Sequence, residues 1–383
     1  MGEEQKSSLR TATLELLRNK EGRPATLPFI TRVTELSKYL SLNKQLQDEI
    51  EKVSTVFPFR IPEFYLKLMD KENPLCPLKM QSLPSLEELR GTGEADPLGE
   101  EPASVTSSFI KKYPGRGVFL AGVQCAMYCR FCNRRRFVGR QWNTKSSWEE
   151  SFLQMERLVD LKEIIVSGGD PFMLPVSDFA YVMERLRAIE RIKIIRVSTR
   201  IPVVYPDGLS RDHIEALSGI PSLWIVIHIN HPREVSPEFI DAVRRLREIG
   251  ANILSQTVLL RRVNDCARVL HILFENLVTL GIKPYYLFQL DEVMGAGHFK
   301  VKLEEGIRIM RYLRKNCSGL AIPHYALDIT GGFGKIPLDH RYVKRRKGNE
   351  VYVESPAGVV GIYTDNGKKS VCTSCGLCEG YVN

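Results

Sequence analysis

Three cysteines lie within eight residues in the middle of the chain. Cys125, Cys129 and Cys132 follow the spacing C-x3-C-x2-C, with the aromatic residue Phe131 just before the last cysteine. Three thiolates on one loop can hold three irons of a [4Fe–4S] cluster and leave the fourth iron open. A structural zinc site normally takes four ligands, and no fourth cysteine lies nearby in the sequence. The spacing therefore predicts an iron–sulfur cluster, with a partial zinc knuckle as the alternative.

Four arginines share this loop, namely Arg130, Arg134, Arg135 and Arg136. Positive charge beside a thiol favours the thiolate form. We therefore expect these arginines to lower the pKa values of the cysteines and to offset part of the negative charge of a cluster.

A second group of cysteines stands near the C-terminus. Cys372, Cys375 and Cys378 follow the spacing C-x2-C-x2-C, which offers three thiolates and needs a fourth ligand from elsewhere. Zinc and an auxiliary iron–sulfur cluster are both compatible with this spacing. We expect a structural, metal-binding C-terminal tail.

Lys335 ends the glycine-rich run G-G-F-G-K. Glycines let the backbone approach an aromatic ring or a phosphate closely, and a lysine at such a place can form a Schiff base. The phosphate-binding pattern G-x4-G-K-[ST] does not fit, because Ile336 follows the lysine. By itself the run is typical of a flexible loop with a solvated lysine. Beside the cysteine loop, attachment of a cofactor is the better interpretation.

These groups need a scaffold, and from residue 117 onward short apolar runs alternate with amphipathic stretches. The runs predict strands at 118–123, 163–167, 192–198, 223–229, 252–260, 283–289 and 320–326. Largely apolar strands that alternate with helices are typical of an α/β fold with a parallel sheet covered by helices. An open or partial (β/α) barrel fits better than a dinucleotide-binding fold, since no G-x-G-x-x-G follows the first strand.

In barrels of this kind the chemistry collects at the C-terminal ends of the strands. Polar residues follow four of the predicted strands at that end. They are Cys125, the run Ser167-Gly168-Gly169-Asp170, the run His228-Ile229-Asn230-His231 and the run Gln289-Leu290-Asp291. We expect these residues to line one site.

The N-terminal part of the chain has a different pattern. Residues 8–70 carry apolar side chains at helical spacing and predict helices. Residues 71–105 hold many Pro, Gly and Glu and predict a connecting loop. The expected organisation is a helical region with a linker at 1–105, the partial barrel at 106–330, and the Lys335 loop with the cysteine tail at 331–383.

Composition limits the class of protein. The chain has 383 residues, of which 43% are hydrophobic and 26% charged, which is ordinary for a globular protein. The longest apolar runs are far shorter than the roughly 20 residues of a membrane helix, and the polar N-terminus does not read as a secretory signal. The net charge is +9, but the basic residues are mostly dispersed and match no nucleic-acid-binding module. We expect a cytoplasmic protein without a membrane or nucleic-acid partner.

The cysteine loop resembles that of a known family. The run C-A-M-Y-C-R-F-C-N-R-R-R-F-V-G is similar to the cluster loop of the lysine 2,3-aminomutase family, which are radical S-adenosylmethionine (radical SAM) enzymes. The likeness continues at 167–170, 198–204, 228–232, 256–260, 263–265, 284–286 and 331–335. It covers roughly residues 105–340 and implies a partial (β/α) barrel of the radical SAM type.

The resemblance implies two organic cofactors. In this family S-adenosylmethionine binds the open iron of the cluster, and the matching residues here are Ser167, Gly168, Gly169, Asp170, His228 and Gln256. Lys335 matches the lysine that carries pyridoxal 5′-phosphate, with Lys112, Tyr113 and Arg116 as expected partners of its phosphate. Relatives commonly have arginine at position 112, so this contact becomes a point charge instead of a fork.

The resemblance also implies how a substrate is held. Arg134 matches the residue that binds the α-carboxylate of an amino acid, a role that suits a guanidinium group. Asp291 and Asp328 match the pair that binds a side-chain ammonium. Two carboxylates in one apolar cavity repel each other unless a cation lies between them, so the pair favours a basic amino acid. Phe288 replaces a tyrosine that relatives tend to have, which removes one hydroxyl.

The expected activity is that of L-lysine 2,3-aminomutase, an isomerase that interconverts L-lysine and L-β-lysine by adenosyl-radical-initiated migration of the amino group on pyridoxal phosphate. Alternatives are the same reaction on arginine, ornithine or a lysine of a translation factor, a radical enzyme without pyridoxal phosphate, and a basic nucleic-acid-binding metalloprotein. The resemblance further implies a reductant such as flavodoxin or ferredoxin, and a homo-oligomer. Its zinc site would combine Cys266 with the tail cysteines of a partner subunit.

Overall fold

A single large sheet organises the chain. The computed structural model describes residues 29–139 and 144–367. Two short strands, β1 (Phe29–Ile30) and β2 (Ile61–Pro62), pair with each other. The next ten strands form the large sheet, and they are β3 (Ser104–Thr106), β4 (Phe109–Tyr113), β5 (Arg116–Gly122), β6 (Glu163–Gly168), β7 (Ile194–Thr199), β8 (Leu223–His228), β9 (Asn252–Leu259), β10 (Lys283–Gln289), β11 (His324–Asp328) and β12 (Lys335–Pro337).

Strands β5 to β11 are parallel and lie in the sheet in chain order. Antiparallel strands flank them, β4 and β3 at one edge and β12 at the other. Among the described residues the two edge strands do not pair, so the sheet is an open barrel, and the predicted α/β class is confirmed. The last parallel strand lies at His324–Asp328 and not at 320–326, because Gly319–Ala321 form a 3₁₀ turn.

The described part of the N-terminal region is helical, as predicted. It contains α1 (Val33–Leu36), α2 (Lys44–Ser54), α3 (Glu63–Lys67) and α4 (Pro77–Ser82). The prediction of a connecting loop at 71–105 is wrong, because this stretch holds α4 and a 3₁₀ turn at Leu86–Leu89. Its polar residues Gln81, Glu88 and Glu100 are buried, so the stretch is part of the packed structure. The leucines predicted to form helices before residue 29 lie outside the described residues.

Helices connect the parallel strands. They are α5 (Thr144–Arg157), α6 (Val176–Ala188), α7 (Ile201–Val204), α8 (Arg211–Leu217), α9 (Pro237–Glu248), α10 (Ala267–Thr279) and α11 (Leu303–Asn316). Helix α9 illustrates how the sequence specifies them. The Ser236 hydroxyl accepts the backbone N–H of Phe239, and Pro237 takes the first helical position, where no N–H donor is needed. The apolar face of α9, including Phe239 and Leu246, is fully buried.

The chain divides into two compact units, 1–338 and 339–383. Within the described part of the second unit, β13 (Val343–Lys347), β14 (Glu350–Glu354) and β15 (Val360–Thr364) form an antiparallel sheet. None of the helices in the described ranges is both long and apolar enough to cross a bilayer.

Candidate active site

One cavity of about 370 Å³ lies at the C-terminal ends of the parallel strands. Sixteen of the predicted site residues line it, and they are Lys112, Tyr113, Arg116, Cys125, Cys129, Cys132, Arg134, Ser167, Gly168, Gly169, Asp170, His228, Gln256, Asp291, Asp328 and Lys335. These residues come from both edges and from the centre of the sheet. The expectation that the strand ends converge on one site agrees with this geometry.

The cysteine loop follows β5 and is anchored on the N-terminal region. The backbone N–H of Arg130 donates to the Gln81 carbonyl at 3.0 Å. The Arg130 side chain, which is only 2% exposed, donates to both oxygens of Glu88 at 3.0 and 2.6 Å. It also donates to the carbonyls of Phe57 and Pro58. This buried arginine therefore fixes the path of the loop between its cysteines.

The expected lowering of the thiol pKa values is wrong for two of the three cysteines. Burial raises the pKa of the Cys132 thiol to about 11 and that of Cys125 well above its usual value. The loop arginines oppose this effect at Cys132, but their charge is largely committed elsewhere. Arg135 pairs with Glu88 at 2.6 Å, and Arg134 pairs with Glu100 at 2.6 Å. A buried thiol of this kind needs a compensating metal to be held as a thiolate.

The run after β6 approaches the cysteine loop closely. A Cβ atom on Gly168, whose φ is +116°, would lie 2.3 Å from the Gly122 carbonyl oxygen. A Cβ on Gly169 would lie 2.2 Å from the Gln124 oxygen, so both positions require glycine. These two glycines therefore let the run after β6 pass close to the backbone that leads into the cysteine loop.

The Asp170 carboxylate closes this turn. It accepts hydrogen bonds from the backbone N–H groups of Phe172 and Arg200, at 3.2 and 2.6 Å, and from the Thr199 hydroxyl at 2.9 Å. Burial raises the pKa of Asp170 to about 6, against the lowering effect of these donors. Asp170 therefore stabilises the wall of the cavity, and its oxygen atoms already accept hydrogen bonds from the protein.

His228 and Gln256 lie side by side, because they are register partners in β8 and β9. Burial, with a contribution from the Arg200 charge, lowers the pKa of His228 to about 3, so its imidazole is neutral. Its Nε2 atom is buried and has no hydrogen-bond partner among the described residues. A buried polar atom in the wall of a cavity is a place where a ligand can supply the missing bond.

The Lys335 loop runs from β11 to β12, where Asp328 and Lys335 are register partners. The Lys335 Nζ atom donates to the two Asp328 oxygens at 2.8 and 3.1 Å. Gly332 has a φ of +83°, and a Cβ there would lie 2.4 Å from the Leu98 carbonyl oxygen and 2.7 Å from the Lys112 Nζ atom. The glycines thus let this loop pass close to the β4 edge of the open barrel.

Three residues of the β4–β5 hairpin line the same part of the cavity. Tyr113 and Arg116 are register partners, and the Arg116 guanidinium carbon lies 4.3 Å from the centre of the Tyr113 ring. Lys112 donates to the Leu98 carbonyl. Burial lowers the pKa of Lys112, while the Asp328 carboxylate counteracts this effect. Two cations and a phenol are a donor set that suits an anion such as a phosphate.

Arg134 is held by a carboxylate that the sequence analysis did not identify. Its Nε and Nη2 atoms donate to Glu100 at 3.0 and 2.6 Å, and Nη1 donates to the Ser167 hydroxyl at 2.7 Å. Burial alone would raise the pKa of Glu100, but the charges of Arg134 and Arg136 lower it to about 2. A guanidinium group has five N–H donors, so two of those on Arg134 remain for a further acceptor.

The two aspartates differ in their partners. Asp291 follows β10 and accepts a hydrogen bond from the Asn133 side chain at 2.9 Å, whereas Asp328 pairs with Lys335. Burial and the nearby Asp328 charge raise the pKa of Asp291 to about 6. Asp328 has a cationic partner and Asp291 accepts from a neutral one, so this pair of carboxylates favours a further bound cation.

Of the predicted zinc ligands, only Cys266 belongs to the described residues, and it is not among those that line this cavity. Cys266 is exposed at the start of α10. Cys372, Cys375 and Cys378 lie outside the described residues.

Sequence reasoning missed Glu100, Asn133 and Arg200, all of which line the cavity. Glu100 belongs to the stretch read as a loop, and its only sequence signal is an acidic pair, Glu100 and Glu101, that could complement the arginines of the cysteine loop. Arg200 lies within a run that resembles the family, but no role was assigned to it.

Known proteins resemble this chain over most of its length. The Radical SAM superfamily matches residues 120–274. A protein of Aquifex aeolicus named after L-lysine 2,3-aminomutase is 37% identical over 341 residues, which cover 87% of this chain and 92% of that one. L-lysine 2,3-aminomutase of Acetoanaerobium sticklandii is 32% identical over 358 residues, 92% of this chain and 86% of that one. Glutamate 2,3-aminomutase of Clostridioides difficile is 33% identical over 334 residues, 86% of this chain and 79% of that one.

The match to the Radical SAM superfamily begins within β5 and includes the cysteine loop and strands β6 to β9. It supports a [4Fe–4S] cluster and S-adenosylmethionine as cofactors, and a fold of the radical SAM type. The relatives support an isomerase that moves an amino group. On its sheet, its cysteine loop and its similarity to these enzymes, the chain belongs to the lysine 2,3-aminomutase family of radical SAM enzymes.

Proposed function

We propose that this protein is an L-lysine 2,3-aminomutase that interconverts L-lysine and L-β-lysine. The observation that carries the proposal is the presence of two carboxylates, Asp291 and Asp328, in the wall of the cavity that Lys335 also lines. Family membership alone does not choose the substrate, because a glutamate 2,3-aminomutase is among the relatives. Two acidic groups suit a side-chain ammonium and would repel a side-chain carboxylate.

The cavity wall fits the proposed cluster and S-adenosylmethionine. Cys125, Cys129 and Cys132 would ligate the cluster, and the raised thiol pKa values of Cys125 and Cys132 are the condition that metal ligation would relieve. Ser167, Gly168, Gly169 and Asp170 would form the turn beside S-adenosylmethionine, with His228 and Gln256 at its nucleoside. The unpartnered Nε2 atom of His228 supports this assignment. When bound, the cluster and S-adenosylmethionine supply the radical that starts the reaction.

The opposite wall fits pyridoxal phosphate. Lys112, Tyr113 and Arg116 would hold its phosphate, and Lys335 would attach its aldehyde carbon. The Lys335 ammonium is bound by Asp328 in this structure, which means that a cation already occupies the place proposed for the substrate ammonium. Release of Lys335 from Asp328 would expose that carboxylate to the substrate. The cavity therefore exchanges one cation for another without leaving Asp328 unpaired.

Arg134 would bind the α-carboxylate of the substrate. Glu100 fixes the guanidinium plane through two of its nitrogen atoms, so little side-chain entropy remains to be lost on binding. The two N–H groups left over can form a fork with a carboxylate. Arg134 at one end and the two aspartates at the other would set the length and the charge of the substrate.

Several further expectations belong to the same proposal. They are the zinc site of Cys266 and the tail cysteines, a homo-oligomer, a flavodoxin or ferredoxin as reductant, a cytoplasmic location and the domain limits 1–105, 106–330 and 331–383. The same reaction on arginine, ornithine or a translation-factor lysine remains the alternative.

The test is anaerobic incubation of the reconstituted enzyme with reductant, S-adenosylmethionine, pyridoxal phosphate and a panel of amino acids. We expect L-lysine to yield the β-isomer, identified by mass and retention, at a higher kcat/KM than arginine, ornithine or glutamate. Faster conversion of glutamate would overturn the substrate assignment. Absence of absorbance near 420 nm in protein supplied with pyridoxal phosphate would overturn the use of that cofactor.

A further inference from the structure

Arg200 is a buried arginine to which the mechanism above assigns no role. It follows β7, is 7% exposed and lines the cavity. Its Nη1 atom lies 2.8 Å from the Sγ atom of Cys129 and donates to it. The Cys129 sulfur would therefore have two partners, namely the iron of the proposed cluster and the Arg200 guanidinium.

Other buried groups hold the Arg200 side chain in this direction. Its Nη2 atom donates to Glu234 and to the Gln81 side chain, each at 2.7 Å. The Arg200 backbone N–H is fixed by Asp170 at 2.6 Å. The guanidinium carbon lies 5.4 Å from the centre of the Phe131 ring. The guanidinium is therefore held by Glu234 and Gln81 on one side and directed to the sulfur atom on the other.

Glu234 is itself held in place. It is fully buried and accepts the Tyr65 hydroxyl at 2.7 Å. It also accepts the backbone N–H groups of Asn230 and His231, at 2.7 and 2.9 Å. A carboxylate with this many donors is held in position, so an acidic group lies directly behind the guanidinium that Arg200 presents to Cys129.

We propose that Arg200 is a positioning residue that raises the reduction potential of the cluster through its hydrogen bond to Cys129, and that Glu234 limits the size of this effect. The inference rests on the proposed ligation of the cluster by Cys129.

Reduction brings one electron from the external reductant onto the cluster, so the cluster becomes more negative. A donor and a positive charge at a ligand sulfur stabilise this reduced state more than the oxidised state. A buried carboxylate behind the guanidinium acts in the opposite direction. The two residues should therefore shift the potential with opposite signs.

The experiment measures the midpoint potential of the cluster in anaerobically reconstituted full-length protein without S-adenosylmethionine, by redox titration followed by electron paramagnetic resonance. Arg200→Gln should destabilise the reduced cluster at least tenfold, which is a negative shift of about 59 mV for one electron. Arg200→Lys keeps the charge but not the fork, and should lie between Arg200→Gln and wild type. Glu234→Gln should shift the potential upward.

Arg196→Gln is the matched control. It removes the same charge from β7, the strand that Arg200 follows, but Arg196 pairs with Glu163 and, among the described residues, makes no bond to a cysteine. Its shift should be smaller than that of Arg200→Gln. Loss of a merely structural contact would lower iron content in both Arg200 and Glu234 variants and would not give shifts of opposite sign.

A midpoint potential within about 18 mV of the wild type (a twofold change in the reduction equilibrium constant) in iron-replete Arg200→Gln, or a downward shift in Glu234→Gln, would overturn the inference. If Arg200→Gln holds no cluster, the signs of the Arg200→Lys and Glu234→Gln shifts decide in its place. A measurement on the wild type needs no variant: pulsed ENDOR of the reduced cluster should show a coupled proton that exchanges in D₂O, and its absence would also refute the bond. An intact cluster in Cys129→Ala would instead refute the proposed ligand set.

Discussion

The cysteine loop and the Lys335 loop line the same cavity but are held in opposite ways. The cysteine loop is fixed by buried charge, since Arg130 is 2% exposed and bound to Glu88 and to two carbonyl groups. The Lys335 loop has three glycines with positive φ, an exposed Phe333 and, within the described part of the chain, one ion pair, which joins Lys335 to Asp328.

This difference corresponds to two kinds of task. A cluster that passes one electron to S-adenosylmethionine works from a fixed position, and buried networks provide rigidity because breaking them is costly. The proposed attachment of pyridoxal phosphate would require Lys335 to hold a cofactor and later release it, and that task would need a loop that changes partners. The glycines and the single ion pair leave Lys335 that freedom.

The largest effect is expected from changes to the cysteine loop. Cys125→Ala, Cys129→Ala or Cys132→Ala should each abolish the brown absorbance, the bound iron and all turnover, because a cluster with two ligands on its loop is not retained. Iron analysis and the amino-acid assay measure this. Cys76→Ala, a buried cysteine away from the cavity, is the control and should keep its cluster. Turnover by any of the three loop variants would refute the radical mechanism.

In the Lys335 loop, Lys335→Ala should abolish covalent attachment of pyridoxal phosphate while the cluster remains. Slow cleavage of S-adenosylmethionine should persist, because Lys335 is not among the residues proposed to bind it. Borohydride reduction followed by mass spectrometry detects the attachment, and Lys300→Ala serves as control. Reducible attachment in Lys335→Ala would move the cofactor site to another lysine.

The next largest loss of activity is expected from changes to the two carboxylates, Asp291 and Asp328, that lie between the two loops. Removing one of a pair of buried groups that holds a cation typically costs about 3–5 kcal/mol, which is roughly two to four powers of ten in kcat/KM. Asp291→Asn and Asp328→Asn should lose this much lysine turnover and keep normal iron content. Asp212→Asn, on an exposed position of α8, is the control. Near-normal lysine turnover by both variants would remove the argument for a basic substrate.

Glu88→Gln tests the rigidity itself. Glu88 accepts from Arg130 and Arg135, so the amide would leave buried positive charge without its counter-charge. We expect the free energy of unfolding to fall by about 3–5 kcal/mol, measured by denaturant titration. Glu87→Gln changes a neighbouring, partly exposed carboxylate and should shift it by less than about 1 kcal/mol. Equal small effects of the two variants would show that the buried network is not what holds the loop.

The smallest effect concerns pH. Only the ionised form of Asp291 attracts a substrate ammonium, and its pKa is raised to about 6. The kcat/KM for lysine should therefore be level at higher pH and fall toward tenfold per unit below about pH 6. Asp291→Asn should lack this part of the profile. A profile for the variant that follows the wild type would assign the ionisation to another group.

The sequence predicted the sheet and the strand-end residues around the cavity from local patterns, whereas the resemblance to the family supplied Lys112, Tyr113, Arg116, Gln256 and Asp328. Apolar runs specify strands, and the rule that parallel strands end on one side brings Cys125, Ser167, His228 and Asp291 together. The stretch 71–105 was misread because its buried residues Gln81, Glu88 and Glu100 are polar. Burial of a charged residue depends on a distant partner, and periodicity carries no information about that partner.

The same limit explains the error in the thiol pKa values. The sequence shows arginines beside cysteines, but it does not show that Glu88 and Glu100 neutralise Arg130, Arg134 and Arg135. It also does not show how far the loop is buried, and burial decides the direction at Cys125 and Cys132.

The open edge of the barrel has a consequence for assembly. The β4–β5 hairpin and the Lys335 loop approach each other at Lys112 and Gly332. In the described ranges, however, no strand ladder joins β3 to β12. Widening this seam breaks side-chain contacts and the hydrogen bond from the Gly331 backbone N–H to the Pro97 carbonyl, but no strand ladder, whereas a closed barrel would have to separate a whole strand pair. Bulky cofactors can therefore be loaded into a chain that is already folded, so maturation need not be coupled to synthesis.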